Sequence, residues 1–317
     1  MISPLHIQTV REVVRTGSFA DAARNLGYTA SAVSQQVAAL ERACGLVLFE
    51  RRARSVRPTS AAFLLVSRGN DVLSALDTLE RELRTVASGE RGALQLGSFP
   101  TASARILPRV LAELSRVRPG IEITLAEGEP DELLPELLDG DLDLQLVYRY
   151  DLLPRAWPDQ IVETPVMDED LVLCVPRDHP LAAGHTVRLR ELRSETWIAS
   201  RPESSGAQAL ERVCGTAGFT PNIAFRSNDY AVVCGLVGCG LGIALVPALG
   251  CVPAPGLRVL RLSRRAPRRH VTVLCRTTNT NPLVKDVLRG LTEVARGVRA
   301  EIGGATDPTT SGNRDRE

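Results

Sequence analysis

GSFADAARNLGYTASAVSQQVAALERACGLVLFERRARSVRPTS, residues 17–60, is the stretch whose reading decides the fold. Phe19, Ala22, Ala23 and Leu26 recur at i, i+3, i+4 and i+7, one apolar face of a short helix. Ser18 stands before them as an N-cap, with Asp21 in the capping-box position three residues on. Gly27 follows the last apolar position, where a left-handed C-terminal cap favours glycine. Tyr28 and Thr29 leave room only for a tight turn, and Thr29 can cap a second helix. In that helix Val33, Val37, Leu40 and Cys44 share a face, so Ser31, Gln35, Ala38 and Arg42 point the other way, with Ser34 on the flank. This small, hydrogen-bonding outer surface fits a major groove roughly 12 Å wide. Gln35 or Gln36 can contact adenine in bidentate fashion, and Ser31 and Ser34 can serve bases or phosphates. Isolated Ser and Gln residues usually mark a solvated helix face. The helix–short turn–helix spacing over about 19–38 favours DNA recognition instead.

From Arg51 to Arg68 the chain carries Arg51, Arg52, Arg54, Arg57 and Arg68 and no acidic residue, although its net charge is only +1. Clustered cations beside such a motif read as phosphate contacts, which position a protein on DNA without reading sequence.

These residues resemble the LysR-type transcriptional regulators. The match lies in Gly17-Ser18-Phe19, Ala22-Ala23, Leu26, Thr29 to Ser34, Leu40-Glu41, Gly45-Leu46 and Leu48-Phe49-Glu50-Arg51, and extends more weakly in element order to about residue 300. The resemblance implies an α+β, multidomain chain: a winged helix-turn-helix, a long linker helix and a two-lobe α/β effector domain like the type 2 periplasmic-binding-protein fold. It implies that the helix from about Ala30 enters the major groove, with a wing around Arg51 to Arg57. The DNA-binding residues expected on both grounds are Thr29, Ser31, Ser34, Gln35, Gln36, Arg51, Arg52 and Arg54. Two departures stand out. Ala30 and Ser31 replace the Gln or Pro that members often carry after the capping residue, and Thr59-Ser60-Ala61-Ala62 lacks the usual glycine, which should stiffen entry into the next helix.

At 317 residues and 44% hydrophobic content the chain can build more than one core. No signal-peptide pattern opens it, and the weakly polar run Ala231 to Leu249 is broken by Gly235, Gly238, Gly240, Gly242 and Pro247, so a cytoplasmic protein is expected. The seven cysteines include no Cys-x-x-Cys pair and read mostly as small buried hydrophobes. A redox pair such as Cys234 with Cys239 is the alternative, though neither has an adjacent cation to activate it.

Ala62, Leu65, Gly69, Val72, Leu76, Leu79, Leu83 and Val86 recur with spacings alternating between three and four, a heptad seam that predicts a long helix packed on a partner helix. The resemblance implies the same, an antiparallel dimer contact. Paired heads imply a near-palindromic promoter site on double-stranded DNA and a homodimer or homotetramer. Ser88 to Gly92 ends the helix as a hinge. Beyond it, strand–helix alternation argues for a parallel α/β sheet. The predicted strands are 93–97, 121–126, 142–147, 171–175, 197–199, 223–226, 243–246 and 271–275, and the main helices 101–117, 131–139, 206–217, 230–237 and 282–298. The expected division is a head at 1–59, a linker helix at 60–90, an effector domain at 91–302 (lobe one 91–162 and 268–302, lobe two 163–267), and a disordered tail at 303–317.

Ligands in open α/β sheets sit at the carboxyl ends of strands, here between the lobes. The loops 98–103 and 200–206 each enter a helix and offer several hydroxyls and free N–H groups, suited to a carboxylate or other anion. The effector residues expected there are Ser98, Thr101, Ser103, Tyr148, Arg201, Ser204 and Asn228. The leading reading is thus a sequence-specific regulator modulated by a small molecule, with RNA polymerase as a further partner if it activates. No cofactor, metal or membrane contact is expected. An enzyme is disfavoured, because His6, His179, His185 and His270 fall in no acid–base spacing and no nucleophile elbow or phosphate loop occurs. A non-specific architectural DNA binder would leave the large second half without a purpose.

Overall fold

The computed structural model describes residues 2–52, 55–88, 92–263 and 267–305. The head is built from α1 (Pro4–Thr16), α2 (Phe19–Leu26), α3 (Ala30–Cys44) and a hairpin of β1 (Phe49–Arg52) and β2 (Ser55–Pro58). The caps read from sequence are made: Ser18 Oγ accepts from Asp21 N at 3.3 Å, Thr29 Oγ1 accepts from Ala32 N at 3.2 Å, and Gly27 takes φ 71°. Asp21 does not complete the capping box; its carboxylate pairs with Arg24 one turn on. Val10 and Val13 of α1, which the sequence reading did not assign, close one core with Ala22, Ala23, Val33, Val37, Leu40, Leu48 and Phe49. Glu41 Oε1 accepts from both Leu48 N (2.7 Å) and Phe49 N (3.2 Å), so α3 holds the entry to the wing.

The linker helix α4 runs over Ser60–Ser88. Its heptad seam divides in two. Ala62 and Leu65 belong to the head's own core, and a Cβ on Gly69 would lie 2.3 Å from Ile7 Cγ2, so α1 crosses there in close contact. This corrects the expectation that the whole seam faces a partner: α1 covers its first two turns. Val72, Leu76, Leu79 and Leu83 are exposed, whereas the side chain of Val86 and residues 89–91 of the expected hinge lie outside the described residues.

The second half opens with β3 (Ala93–Ser98), α5 (Pro100–Arg105), α6 (Leu107–Val117), β4 (Glu122–Glu127), α7 (Pro130–Asp139) and β5 (Leu144–Tyr150). The single helix expected over 101–117 breaks at Ile106, because Pro108 lacks the N–H for the i−4 bond and its ring crowds the preceding turn. β6 (Ile161–Pro176) is one strand of 16 residues, of which the sequence showed only the apolar end. β7 (Thr186–Val187), β8 (Thr196–Ala199), α8 (Ser205–Thr216), β9 (Asn222–Arg226), α9 (Tyr230–Gly238), β10 (Ala244–Pro247) and β11 (Leu257–Leu262) follow, and β12 (Arg268–Arg276) and α10 (Leu283–Ala305) return to the first lobe. The main sheet has the order β4-β3-β5-β12-β6-β11-β7, with β10 also on β6, and β8 pairs β9 in a second sheet. It is mixed rather than parallel throughout: β3 is parallel to β4 and β5, but the returning β12 is antiparallel to β5 and β6. Helix α10 carries on through Ala305, into the start of the expected tail, and 306–317 lie outside the described residues.

The polar side of α4 docks on lobe one, which no local pattern announced. Asn70 Nδ2 donates to Asp139 at 2.7 Å, Thr278 Oγ1 to Asp71 at 3.1 Å, and Arg276 Nη2 to Ser74 Oγ at 2.9 Å.

Candidate DNA-binding face and interlobe cleft

Near its N-terminal end α3 exposes Ala30, Ser31 and Gln35, with Ser34 half-buried beside them and Thr29 capping the helix with its hydroxyl 3.0 Å from Ser31 Oγ; Arg42 and Ala43 are exposed farther along. Gln36 departs from expectation. It is half-buried, and its Oε1 accepts from the buried Thr9 hydroxyl of α1 at 2.5 Å, so its side-chain amide ties α3 to α1 instead of standing on the exposed face. The physical reason is angular: one residue beyond Gln35 is about 100° round the helix, toward α1. Arg51 and Arg52 sit in strand β1, with side chains outside the described residues, as is Arg54 altogether; Arg57 is exposed on β2.

The cleft between the lobes is lined from lobe one by Phe99, Pro100, Thr101, Glu129 and Tyr148, from lobe two by Ser200, Ser204, Gly206, Asn228 and Tyr230, and from β12 by Arg269. Four expected residues are therefore brought together: Thr101, Tyr148, Ser204 and Asn228. Three are not. Ser98 ends β3 fully buried, Ser103 lies beyond Thr101 on α5 with its Oγ buried and unpartnered among the described residues, and the exposed Arg201 contributes its backbone N–H to Asn228 Oδ1 at 2.9 Å. Glu129, Tyr230 and Arg269 were missed. Only Arg269 had a signal, the arginine-rich start of a strand.

Arg269 is the cleft's organising charge. It is 1% exposed, and its Nε meets Glu169 Oε1 at 2.6 Å while Nη2 donates to Thr101 Oγ1 at 2.8 Å. The guanidinium lies against the rings of Phe99 and Tyr148, 5.1 and 4.9 Å from their centroids. Glu169 Oε2 accepts from Leu249 N at 2.6 Å, so the pair ties lobe one to lobe two. Burial disfavours the Arg269 charge, but Glu169 and the surrounding Tyr150, Tyr230 and Tyr148 together outweigh it and raise the guanidinium pKa. Burial also pushes the Glu169 carboxyl up against the pull of Arg269. Tyr148 donates its hydroxyl to Glu129 Oε2 at 2.5 Å; burial first, then the Glu129 charge, push that phenol well above its ordinary pKa, so it remains a neutral donor.

On the outer face of the same crossing strands, His270 Nδ1 lies 2.7 Å from Asp168 and Nε2 lies 2.6 Å from Asp151. Burial lowers the His270 pKa, but the two carboxylates outweigh it and the net shift is upward. A raised histidine pKa stabilises the fold fully below its ordinary value of about 6.5, and that contribution is lost as pH rises through the folded value. Wild-type protein should therefore lose melting temperature between pH 6 and pH 9 relative to His270→Gln. A wild-type–variant difference that stays flat over that range would refute the clip.

The cysteines do not form the 234–239 pair. Cys239 is exposed and Cys234 buried, and Cys234 packs instead with Cys174 and Cys251, whose sulfurs are 3.8 Å apart; all seven are free thiols. Among the described residues no group of side chains suited to hold a metal ion occurs.

Two family models match the chain: the lysR-family bacterial regulatory helix-turn-helix protein over residues 5–63, and the LysR substrate binding domain over residues 87–296. Among curated relatives, the HTH-type transcriptional regulator AlsR of Bacillus subtilis is 29% identical over 77% of this chain and 80% of its own. A probable hydrogen peroxide-inducible genes activator of Mycobacterium avium is 32% identical over 74% of each chain. Among solved structures, a cysteine mutant of Corynebacterium glutamicum OxyR superposes with a TM-score of 0.60 at 25% identity, covering 96% of this chain and 94% of that one.

Proposed function

Because the chain belongs to the LysR family of bacterial helix-turn-helix transcriptional regulators, we propose that it binds a near-palindromic promoter site as a homo-oligomer and that a small molecule held between its two C-terminal lobes sets the geometry of its DNA heads. The family is one of regulators, not enzymes. The observation that carries the reading is the pairing of an exposed Ser31–Gln35 face on α3 with an exposed apolar row, Val72 to Leu83, on the helix leaving the same head. We read 1–59 as the head, 60–90 as the linker, and 91–302 as the effector domain, with lobe one at 91–162 and 268–302 and lobe two at 163–267. Such a protein works on the chromosome, in the cytoplasm, and would touch RNA polymerase if it activates. No helix among the described residues is long and apolar enough to cross a membrane.

The polar dock of α4 on lobe one supports ligand control. A shift of lobe one relative to lobe two moves Asp139, Arg276 and Thr278, and with them the helix that carries the head. Gel shifts on the DNA upstream of its own gene test the reading, and absence of sequence-selective, salt-sensitive binding would sink it. Within that assay Gln35→Ala should cost about 1–3 kcal/mol and relax preference at one base pair, whereas Arg57→Ala should weaken all sequences alike and lower the salt slope by about 1. Equal effects of the two variants on specificity would contradict the separation of base and phosphate contacts.

A further inference from the structure

The interlobe cleft carries charges that a carboxylate ligand would not meet favourably. Of the residues that line it, Glu129 is the one carboxylate and Arg269 the one cation, and burial holds the Tyr148 and Tyr230 phenols neutral. Arg269 is already matched by the buried Glu169, which lies behind it. Glu129 is hydrogen-bonded to the Tyr148 hydroxyl, and no ion pair joins it to a cation among the described residues. Lobe one therefore presents to the cleft a carboxylate that no cation faces, set at the N-cap of α7 and held there by its capping box with Glu132, while the nearby Asp131 is paired with Arg155. Lobe two presents the opposite polarity. Ser200 offers a hydroxyl and Asn228 its amide NH2, its Oδ1 being held by Arg201 N. Ser204, whose hydroxyl donates to Arg201 O and accepts from Ala207 N, caps α8, whose N-terminal end with Gly206 in its first turn opens on the same cleft. Gly206 also allows close approach, because a Cβ there would stand 3.1 Å from Ser200 Oγ.

We propose that the cleft takes a small ammonium-bearing effector of the amino-acid type, its ammonium on the Glu129 carboxylate beside Tyr148 and its carboxylate turned toward Ser200, the Asn228 amide and the N-terminal end of α8 in lobe two. This rests on the cleft being the effector site. The closed-in room at present is about 20 Å³, space for a single water at roughly 10–15 Å³ each. An amino acid must therefore part the lobes to enter, and a ligand that spans Glu129 on one lobe and Asn228 on the other fixes the new spacing. Binding and lobe position are thereby one event.

The test uses the full-length protein in calorimetric titrations and thermal-shift assays. The probes are the twenty protein amino acids, propylamine and putrescine, with propionate and succinate as acids lacking an amine. At least one ammonium compound should bind and raise the melting temperature. Glu129→Gln should weaken it about 10- to 100-fold, the scale of a charge-assisted hydrogen bond. Glu129→Asp, which keeps the charge, should retain part of the affinity and separates charge from folding. The proposal is overturned if no ammonium compound binds, if propionate or succinate binds better than every amine, or if Glu129→Gln binds the amine as tightly as wild type. Footprinting on the promoter DNA separates the two readings. An acid that binds and alters the footprint leaves the regulator standing and removes the amine; an amine that binds without altering it does the reverse.

Discussion

Leu76→Arg combined with Leu79→Arg is expected to yield a folded monomer that has lost most of its operator affinity. Both leucines are exposed on α4, on the half of the seam that α1 does not cover. Burying such a side chain is worth about 1.5–3 kcal/mol, and in a two-fold contact each substitution acts twice. The pair therefore removes about 6–12 kcal/mol from the interface and adds four like charges to it. A monomer engages one half-site, so the avidity of two linked heads, about 10²- to 10⁴-fold, disappears as well. Sedimentation and gel-shift titration on the same samples read both effects. Retention of the oligomer, or operator affinity within about 3-fold of wild type, would show that another surface joins the subunits. The head itself should be undisturbed, because its core draws on Ala62 and Leu65, about three to five turns earlier on the helix.

Arg269→Met should be the most destabilising single substitution in the effector domain. The side chain is buried, and its removal leaves Glu169, 3% exposed, with an uncompensated carboxylate in the crossing strands. Breaking a buried pair from one side costs about 3–5 kcal/mol, more than removing both charges together. Hence Arg269→Met with Glu169→Gln should recover a large part of the loss, and the double-mutant cycle should be strongly non-additive. Urea melts of the four proteins check this. Additive effects, or a single-variant cost below about 1 kcal/mol, would mean that the site is wetter than the burial implies. The same substitution should loosen the cleft, since Arg269 also holds Thr101 and lies against the paired rings of Phe99 and Tyr148.

Much of the head was legible in residues 17–60 because its determinants are local. Helical period, Ser and Thr caps and a left-handed glycine act within one or two turns, and α2, α3 and their turn follow from them. The same reasoning placed most strands and helices of the second half within a few residues. Its errors have identifiable causes. The first half of β6 is polar and half-buried, so alternation did not announce a strand. The break at Ile106 needed weight on Pro108. Gln36 shares residue type and neighbourhood with Gln35, and only the position of α1 tells them apart.

What the sequence alone determined is most of the elements, the helix that exposes Ser31 and Gln35, and the apolar row on α4, all written in spacings of a few residues. What only the tertiary structure decided is who pairs with whom. Glu169 stands 100 residues from Arg269 and Thr101 stands 168 from it, and Ser74 is 202 residues from Arg276. Whether a buried arginine is spent on a glutamate or left for a ligand, and whether α4 leans on its own head or on a lobe, depends on such distant contacts. A charge's chemistry is set by its neighbours within a few ångströms, and folding, not chain order, chooses those neighbours.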